Sequence, residues 1–207
     1  PEERINWTLS ASFKHQKAKY EDIGNSLDQF NKENLNTSLV RYYDGGSPTA
    51  LWAVRSLGIN PSDGRELFLT KEGTYTFEYD TEDEVVVGNS EPKLEGVLGS
   101  TLYWKGFSFS LYFRYSLGAD VFTEATYNKV ENISLAGLKS NQDKRALHDR
   151  WQKPGDHAKF KGISLTETTP ISSRFVLREN YIKAESISVG YDFESQAVQK
   201  LGIQSLR

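Results

Sequence analysis

The residues best suited to binding chemistry form a group of aromatic and basic side chains between positions 41 and 55. Tyr42, Tyr43 and Trp52 could stack on the faces of sugar rings. Arg41 and Arg55 lie close to them in sequence and could donate hydrogen bonds to sugar hydroxyls. The alternative is structural, because the same aromatic side chains would form a small core that keeps a long connecting segment folded. We keep both alternatives and favour the core.

A second group of the same composition contains Arg145, Arg150 and Trp151. It allows the same two interpretations, a sugar-binding surface or a local core. A third interpretation is contact with a partner protein, because Trp and Arg are enriched at the energetic centres of protein interfaces.

Metal binding and catalysis have little support in the sequence. Four closely spaced carboxylates could bind Ca²⁺, but a solvated acidic turn is the more common explanation; they are Asp80, Glu82, Asp83 and Glu84. The three histidines lack the i, i+4 spacing of a metal pair; they are His15, His148 and His157. Cysteine is absent, as are the nucleophile-elbow and phosphate-loop motifs. We therefore predict no enzymatic activity, no metal and no cofactor.

The elements that must position these groups are strands. Apolar residues at 107, 109, 111, 113, 115 and 117 alternate with Ser108, Ser110, Tyr112, Arg114 and Ser116. Lys105-Gly106 forms a two-residue turn, in which Gly accepts the positive φ that tight hairpins require. Such a turn pairs Trp104 with Phe107, Leu102 with Phe109, Leu98 with Phe113 and Leu94 with Leu117. All these apolar residues then share one long aromatic face.

Strands of this kind are typical of outer-membrane barrels. The pattern predicts strands at about 5–15, 94–104, 107–118, 181–193 and 203–207. The connections between them alternate between long (16–93 and 119–180) and short (105–106 and 194–202). Barrels alternate long extracellular loops with short periplasmic turns. We therefore predict an all-β fold, part of a large antiparallel transmembrane β-barrel with long, partly helical extracellular loops.

This arrangement assigns a direction to each side chain of the second hairpin arm. Phe109, Leu111, Phe113 and Tyr115 should face lipid, and Ser108, Ser110 and Arg114 should face the lumen. Arg114 could line a substrate path, although an ion pair within the lumen is the simpler explanation. Four aromatic residues should lie at one membrane interface as a girdle: Trp104, Phe107, Tyr191 and Phe193.

Helices are expected only in the long connections. Ile23, Leu27 and Phe30 recur at helical spacing within Tyr20–Asn36. Ser140 could cap a second helix that extends through Leu147 and Trp151. Short strands should occupy 49–57, 65–69, 74–79 and 85–87 within the first connection.

The rival interpretation is a soluble all-β carbohydrate-binding module with Trp52 and Trp151 as stacking platforms. Such a module must cover the aromatic face of 107–117 with a second sheet. The chain offers few other alternating strands for that purpose. Its net charge of −3 and the absence of a basic run argue against a nucleic-acid partner.

Several segments, in order, resemble the SusC/RagA family of TonB-linked outer-membrane transporters. Three have the family's loop character: Ala53–Leu69 (AVRSLGINPSDGRELFL), Val87–Lys93 (VGNSEPK) and Asp149–Asp156 (DRWQKPGD). Three resemble its late-barrel strand: Ser173–Val176 (SRFV), Asn180–Ile182 (NYI) and Ser188–Phe193 (SVGYDF). The resemblance covers essentially the whole chain.

The resemblance implies a plugged barrel of about 22 strands in a Bacteroidetes-type cell outer membrane. Residues 1–207 would be a late-barrel fragment of one such domain, surrounded by the remaining segments of the same barrel and by outer-membrane lipid. Family members import glycans, or sometimes peptides, together with a SusD-like surface lipoprotein. The TonB–ExbB–ExbD machinery would supply energy through an N-terminal part that this chain does not contain.

Overall fold

The computed structural model describes residues 5–164 and 166–192. The predicted strand 203–207, the predicted connection 194–202 and Phe193 lie outside these residues. The chain divides into two compact units. The sheet unit comprises Pro1–Gln16, Pro92–Gly118 and Glu179–Arg207; the insert unit comprises Lys17–Glu91 and Ala119–Arg178.

Strands dominate the described part of the chain, which confirms the all-β prediction. The strands are β1 (Asn6–Ala11), β2 (Ala50–Ile59), β3 (Glu66–Leu69), β4 (Tyr75–Thr76), β5 (Glu84–Asn89), β6 (Leu94–Trp104), β7 (Phe107–Phe122) and β8 (Val176–Tyr191). The α-helices are α1 (Asp28–Glu33), α2 (Glu124–Thr126) and α3 (Arg145–His148). One π-helical turn (Tyr127–Glu131) and three 3₁₀ turns (Thr81–Asp83, Gly137–Lys139 and Ser173–Phe175) complete the set.

The first sheet has the order β1-β6-β7-β8. The β6–β7 hairpin has the predicted register, from Trp104 opposite Phe107 to Leu94 opposite Leu117. Its two turn residues both have positive φ, 51° at Lys105 and 82° at Gly106. This backbone matches the twist of the adjoining strands, which is why the two-residue turn sets the register without a bulge.

The two faces of this sheet differ in chemistry. The apolar face is open over much of its area, because Trp7 is 63% exposed, Leu9 64% and Phe107 52%. Phe107 also contacts Tyr191, another member of the predicted girdle, with ring centroids 4.5 Å apart. Tyr115 is only 7% exposed, because its side chain lies across Gly96 of the neighbouring strand and donates to the Ser12 carbonyl.

Three strand ends differ from the predicted ends. β1 stops at Ala11, although the backbone of Lys14 still exchanges hydrogen bonds with Glu95. β7 continues to Phe122 and β8 begins at Val176, so the second connection is shorter than predicted. The extension contains an ion pair between Arg178 and Asp120 at 3.1 Å. Strand ends predicted from alternating apolar residues do not include an extension that an ion pair between polar side chains stabilises.

The second sheet lies in the insert unit and has the order β4-β3-β2-β5. Its strands correspond to the four short strands predicted in the first connection. Ala53, Val54 and Phe68 form its buried side. A further apolar cluster of the insert unit contains Val130, Ala146, Phe160 and Phe175.

Both predicted helices are much shorter than expected. α1 has six residues, and its end is marked by Asn34, whose side-chain amide donates to the Phe30 carbonyl at 2.9 Å. α3 has four residues, and Ser140 does not cap it. Asp143 instead accepts from the Arg145 amide at 2.9 Å, so the helix starts later. No helix in the described residues is long and apolar enough to cross a membrane.

Candidate substrate site

A cleft of about 210 Å³ lies in the insert unit between α1, β2 and the 3₁₀ turn at Thr81–Asp83. Tyr43 and Trp52 form its aromatic part, with ring centroids 5.2 Å apart and a tilt of 54°. The other lining residues are mostly polar or charged: Asp28, Asn31, Lys32, Leu35, Lys71, Thr81, Glu82 and Glu84. The structure thus brings two of the three predicted aromatic residues together in a concave site.

Tyr42 belongs to a neighbouring aromatic cluster instead. Its ring centroid lies 5.5 Å from those of Tyr20 and Phe30. Buried Asn31 accepts from the Tyr42 amide at 2.9 Å and donates to its carbonyl at 2.7 Å. Tyr42 therefore holds α1 against the following segment, which is the core role that we favoured from the sequence.

The two arginines proposed as sugar-binding donors are both engaged inside the protein. Arg41 is 2% exposed and forms a bidentate ion pair with buried Glu84, at 3.0 Å from Nε and 2.9 Å from Nη2. Burial raises the pKa of Glu84, and the Arg41 charge opposes that shift. Arg55 donates to the Thr70 carbonyl at 2.6 Å. Neither guanidinium group lines the cleft.

The second predicted group, Arg145, Arg150 and Trp151, does not form one site: two of its members pack inside the insert unit and the third lies at the surface. Arg150 is buried and donates to the backbone carbonyls of Val130, Glu131 and Lys161. Trp151 donates through Nε1 to the Pro61 carbonyl at 2.9 Å. The local-core interpretation therefore describes Arg150 and Trp151.

Arg145, by contrast, lies at the surface. It pairs with Asp143 at 2.7 Å, and hydrogen bonds from Arg145 lower the pKa of that carboxyl to about 2. It remains a candidate for contact with a partner.

Two carboxylates of the acidic turn, Asp80 and Asp83, accept hydrogen bonds from backbone amides. Asp80 accepts from the Glu82 amide at 2.9 Å, and Asp83 accepts from the Lys71 amide at 2.9 Å. No group of three potential metal ligands occurs among the described residues.

Two known proteins are similar to this chain in sequence. Two TonB-dependent receptors of Formosa agariphila are 23% identical over 142 residues and 25% identical over 165 residues. These stretches are 67% and 80% of this chain, but only 13% and 15% of those proteins. No family model matches the chain.

Solved structures share its fold. The RagAB peptide importer in its closed-closed state matches 96% of this chain and 22% of that chain, with a TM-score of 0.73 and 16% identity. The open-open state gives a TM-score of 0.69 over 94% of this chain and 21% of that chain, at 17% identity. The resemblance to SusC/RagA-type TonB-dependent receptors is confirmed. These relatives are named as receptors and as an importer.

In this relative of TonB-dependent receptors, the polar face of the first sheet contains the residues predicted to face the lumen. Arg114 forms an ion pair with Glu185 at 2.8 Å, and its position in a lumen stays a prediction. Ser110 donates to Thr101 at 3.3 Å, and Ser108 is 5% exposed. These contacts join neighbouring strands on one face.

Sequence reasoning missed an ionic network in the insert unit. Arg174 contacts both Glu66, at 2.8 Å, and Glu131, at 3.0 Å. Ser172 donates to Glu66 at 2.7 Å, and Thr169 donates to Glu131 at 2.9 Å. Its members come from distant segments, so no spacing could indicate it. The sequence signal was that Arg174 lies within the family-like segment SRFV.

Proposed function

We propose that this chain supplies part of the barrel wall and the outer loops of a TonB-dependent importer in the outer membrane of a Bacteroidetes-type bacterium. The cargo would be a glycan or a peptide, and a SusD-like lipoprotein would cover the substrate. Energy would come from TonB–ExbB–ExbD through the rest of the protein. The chain spans only 13–15% of the curated relatives it matches, so this describes its share of a larger machine.

The observation that carries the proposal is the two-sided first sheet. Apolar side chains of β1, β6 and β7 lie open on one face, whereas serines, threonines and an ion pair occupy the other. In a membrane barrel the apolar side contacts lipid and the polar side borders the lumen. The structural neighbours support the same assignment of the sheet to a barrel wall, since one of them is a structure of the RagAB peptide importer.

The soluble carbohydrate-binding module explains this sheet less well. In water, an open face with Trp7 at 63% and Leu9 at 64% exposure would be an apolar patch without a cover. Trp151, one of its two proposed stacking platforms, uses its indole N–H internally.

The alternation of connection lengths supports a definite topology. We place 16–93 and 119–180 outside the cell, and Lys105-Gly106 on the periplasmic side. This chain has no cysteine of its own, so single cysteines at Asp63, Lys153 and Lys105 can be labelled in intact cells once any cysteines elsewhere in the full-length protein have been replaced. An impermeant maleimide should modify Asp63→Cys and Lys153→Cys but not Lys105→Cys. Lys105→Cys must become reactive after the outer membrane is permeabilised; equal labelling of all three before that step contradicts the topology.

Import itself is tested in the natural host. Deletion of the gene encoding the full-length protein should abolish uptake of its cargo, and inactivation of TonB should have the same effect. Uptake that survives loss of TonB would refute the energy source. Oligosaccharides and peptides, each offered as the sole nutrient, can be screened to identify the cargo. Co-purification with the full-length protein tests for a lipoprotein partner.

A further inference from the structure

Four consecutive residues of the second connection, Ile171–Arg174, lie against the sheet of the first connection. We call this segment the strap. Ser172 is fully buried and forms a parallel β-bridge with Val54 of β2. The hydroxyl of Ser173 accepts from the Ser56 amide at 2.9 Å, although these two residues are 117 positions apart in the chain. The strap therefore adds hydrogen bonds from the second connection to a strand of the first.

The backbone of Ile171 is satisfied by side chains of the first connection. Ile171 is 8% exposed; its amide donates to Asn36 Oδ1 at 2.9 Å, and its carbonyl accepts from the Tyr79 hydroxyl at 3.1 Å. A buried backbone group that loses its partner costs free energy comparable to a lost hydrogen bond. Movement of the first connection away from the strap would leave both groups without these partners.

Arg174 joins the two connections electrostatically. Its guanidinium contacts Glu66 of β3 at 2.8 Å and Glu131 of the second connection at 3.0 Å. Ser172 donates to the same Glu66 carboxylate at 2.7 Å. The Glu66 side chain is 2% exposed, so separation of the connections would leave a buried carboxylate without its cation. Loss of one partner of a buried ion pair is strongly unfavourable, and this contact therefore opposes separation.

Two further contacts between the connections lie outside the strap. The Asn89 amide of β5 donates to Asp120 Oδ2 at 3.0 Å. The carbonyl of Pro61 accepts from the Trp151 indole N–H at 2.9 Å and from the Gly155 amide at 2.9 Å. A single attachment would let one connection pivot on the other, whereas attachments at separate segments of both connections oppose such a motion.

We propose that the two long connections form one rigid body, fastened by the strap, so that neither opens without the other. Proteins open locally in cooperative units, and the strap makes one such unit from two chain segments that a hairpin separates. Coupling of this kind is reciprocal, since a change in either connection must affect the other. The inference concerns this coupling alone, so uptake that is independent of TonB would refute the proposed function and leave the coupling standing.

Hydrogen–deuterium exchange of the full-length protein in detergent, resolved by mass spectrometry, tests the reciprocity. Asn36→Gly changes the first connection: it removes the Oδ1 acceptor, and Gly tolerates the positive φ of 56° at this position. Arg174→Met changes the second connection and removes the shared cation. Arg145→Met is the matched control, because Arg145 pairs with Asp143 inside the second connection and its side chain is 47% exposed.

Asn36→Gly should accelerate amide exchange in peptides that cover 169–175 by about tenfold, as expected for loss of a buried hydrogen bond. Arg174→Met should accelerate exchange in β2 and β3 by about tenfold or more. Arg145→Met should leave exchange in β2 and β3 within about twofold of the wild type. Acceleration confined to the connection that carries the change would overturn the inference. If Arg174→Met also accelerates exchange throughout β6 and β7, the whole protein has unfolded and Asn36→Gly decides.

Double electron–electron resonance supplies a second measurement, after any other cysteines of the full-length protein have been replaced. Spin labels at Glu72→Cys and Lys139→Cys report the distance between the connections. Labels at Lys32→Cys with Glu72→Cys, and at Lys139→Cys with Lys153→Cys, report motion within each connection; all four residues are exposed. The distance distribution between the connections should be no broader than those within them. A broader or two-peaked distribution between the connections would show that they move independently and would overturn the inference.

Discussion

Tyr115 lies directly opposite Gly96 on the neighbouring strand, and its hydroxyl donates at 2.9 Å to the carbonyl of Ser12, the residue that follows the end of β1. The side chain therefore crosses Gly96 on β6 and links β7 to the segment that follows β1. A methyl group on Gly96 would come within 2.6 Å of the Tyr115 hydroxyl and would also overlap the Ser12 carbonyl. On the other face Tyr112 covers Gly99 in the same way. Aromatic coverage of strand glycines is a known device for fixing register.

Replacement of Gly96 by Ala should destabilise the barrel by about 1–3 kcal/mol, because the added methyl group overpacks this crossing. Tyr115→Phe should cost about 1 kcal/mol, since it removes one hydrogen bond between neutral groups. Urea unfolding of the full-length protein in detergent measures both. Tyr112→Phe is the control, because its hydroxyl makes only a long contact of 3.5 Å with Thr101. Equal losses for the two Tyr→Phe variants would contradict the crossing role of Tyr115.

Trp151 and Gly64 form a comparable interlock in the insert unit. Gly64 has φ +73°, and a Cβ there would lie 2.5 Å from the indole ring of Trp151. Gly73 has φ +87° but open space around it, so Gly73→Ala measures the backbone strain alone. That strain is about 1 kcal/mol. We expect Gly64→Ala to cost more than Gly73→Ala by about 1–3 kcal/mol of steric overlap.

Thermal unfolding of both glycine variants, in the wild type and in Trp151→Ala, completes the comparison. The added cost of Gly64→Ala should largely disappear without the indole, whereas the cost of Gly73→Ala should not change. Persistence of the full difference in the Trp151→Ala background would mean that the indole does not restrict Gly64.

The parts of the fold that were predictable are those with short-range causes. The hairpin register followed from the period of two and from one Lys-Gly turn, because both act between adjacent residues. The helices were overestimated, because three apolar residues at helical spacing in Tyr20–Asn36 do not compensate for Asn34 and Asn36, which favour turns.

The candidate site was predictable only in part, for a related reason. Tyr43 and Trp52 stood out as aromatic residues close together in the sequence, and their rings are in contact. Which arginines remain accessible depends on distant partners: Arg41 meets Glu84 from β5, and Arg55 meets Thr70 beyond β3. The charged lining of the cleft likewise comes from three separate segments, so spacing along the chain gives no indication of it.

We expect replacement of Arg174 to reduce the stability of the insert unit strongly, although this cation lies close to the surface. It is 12% exposed and contacts Glu66 and Glu131, whose side chains are 2% and 0% exposed. Arg174→Met would leave two carboxylates buried without their counter-charge, a change that costs about 3–5 kcal/mol. Arg174→Lys should recover part of the loss, because Lys supplies charge but not the planar fork.

The control for this change is Arg178→Met. Arg178 also pairs with a carboxylate, Asp120 at 3.1 Å, but its side chain is 51% exposed. Exposed ion pairs contribute about 0–1 kcal/mol because water and salt screen them. Chemical unfolding that shows similar losses for Arg174→Met and Arg178→Met would show that burial of the network does not determine its strength.

Tyr79 connects two parts of the insert unit, since its hydroxyl lies 3.2 Å from Asn36 Oδ1 and donates to the Ile171 carbonyl at 3.1 Å. Burial, together with the negative charge of Glu84, raises the pKa of Tyr79 well above the usual value near 10. The folded state therefore holds this proton more tightly than the unfolded state does. The resulting stability is fully present below pH 10 and decreases as the pH rises from there towards the raised pKa.

Tyr79→Phe removes both the hydrogen bonds and this proton linkage. At pH 8 the variant should be less stable than the wild type by about 1 kcal/mol. Above pH 10 the wild type should lose about 1.4 kcal/mol per pH unit from this one group, and the variant should not, so the difference between them must shrink and then reverse. Urea unfolding of both proteins at several pH values from 8 to 11 measures the difference directly. Tyr75→Phe is the control at pH 8. It also removes a Tyr hydroxyl, but from a side chain that is 74% exposed. A difference between wild type and Tyr79→Phe that stays constant across this range would show that Tyr79 ionises as readily in the folded protein as in the unfolded chain.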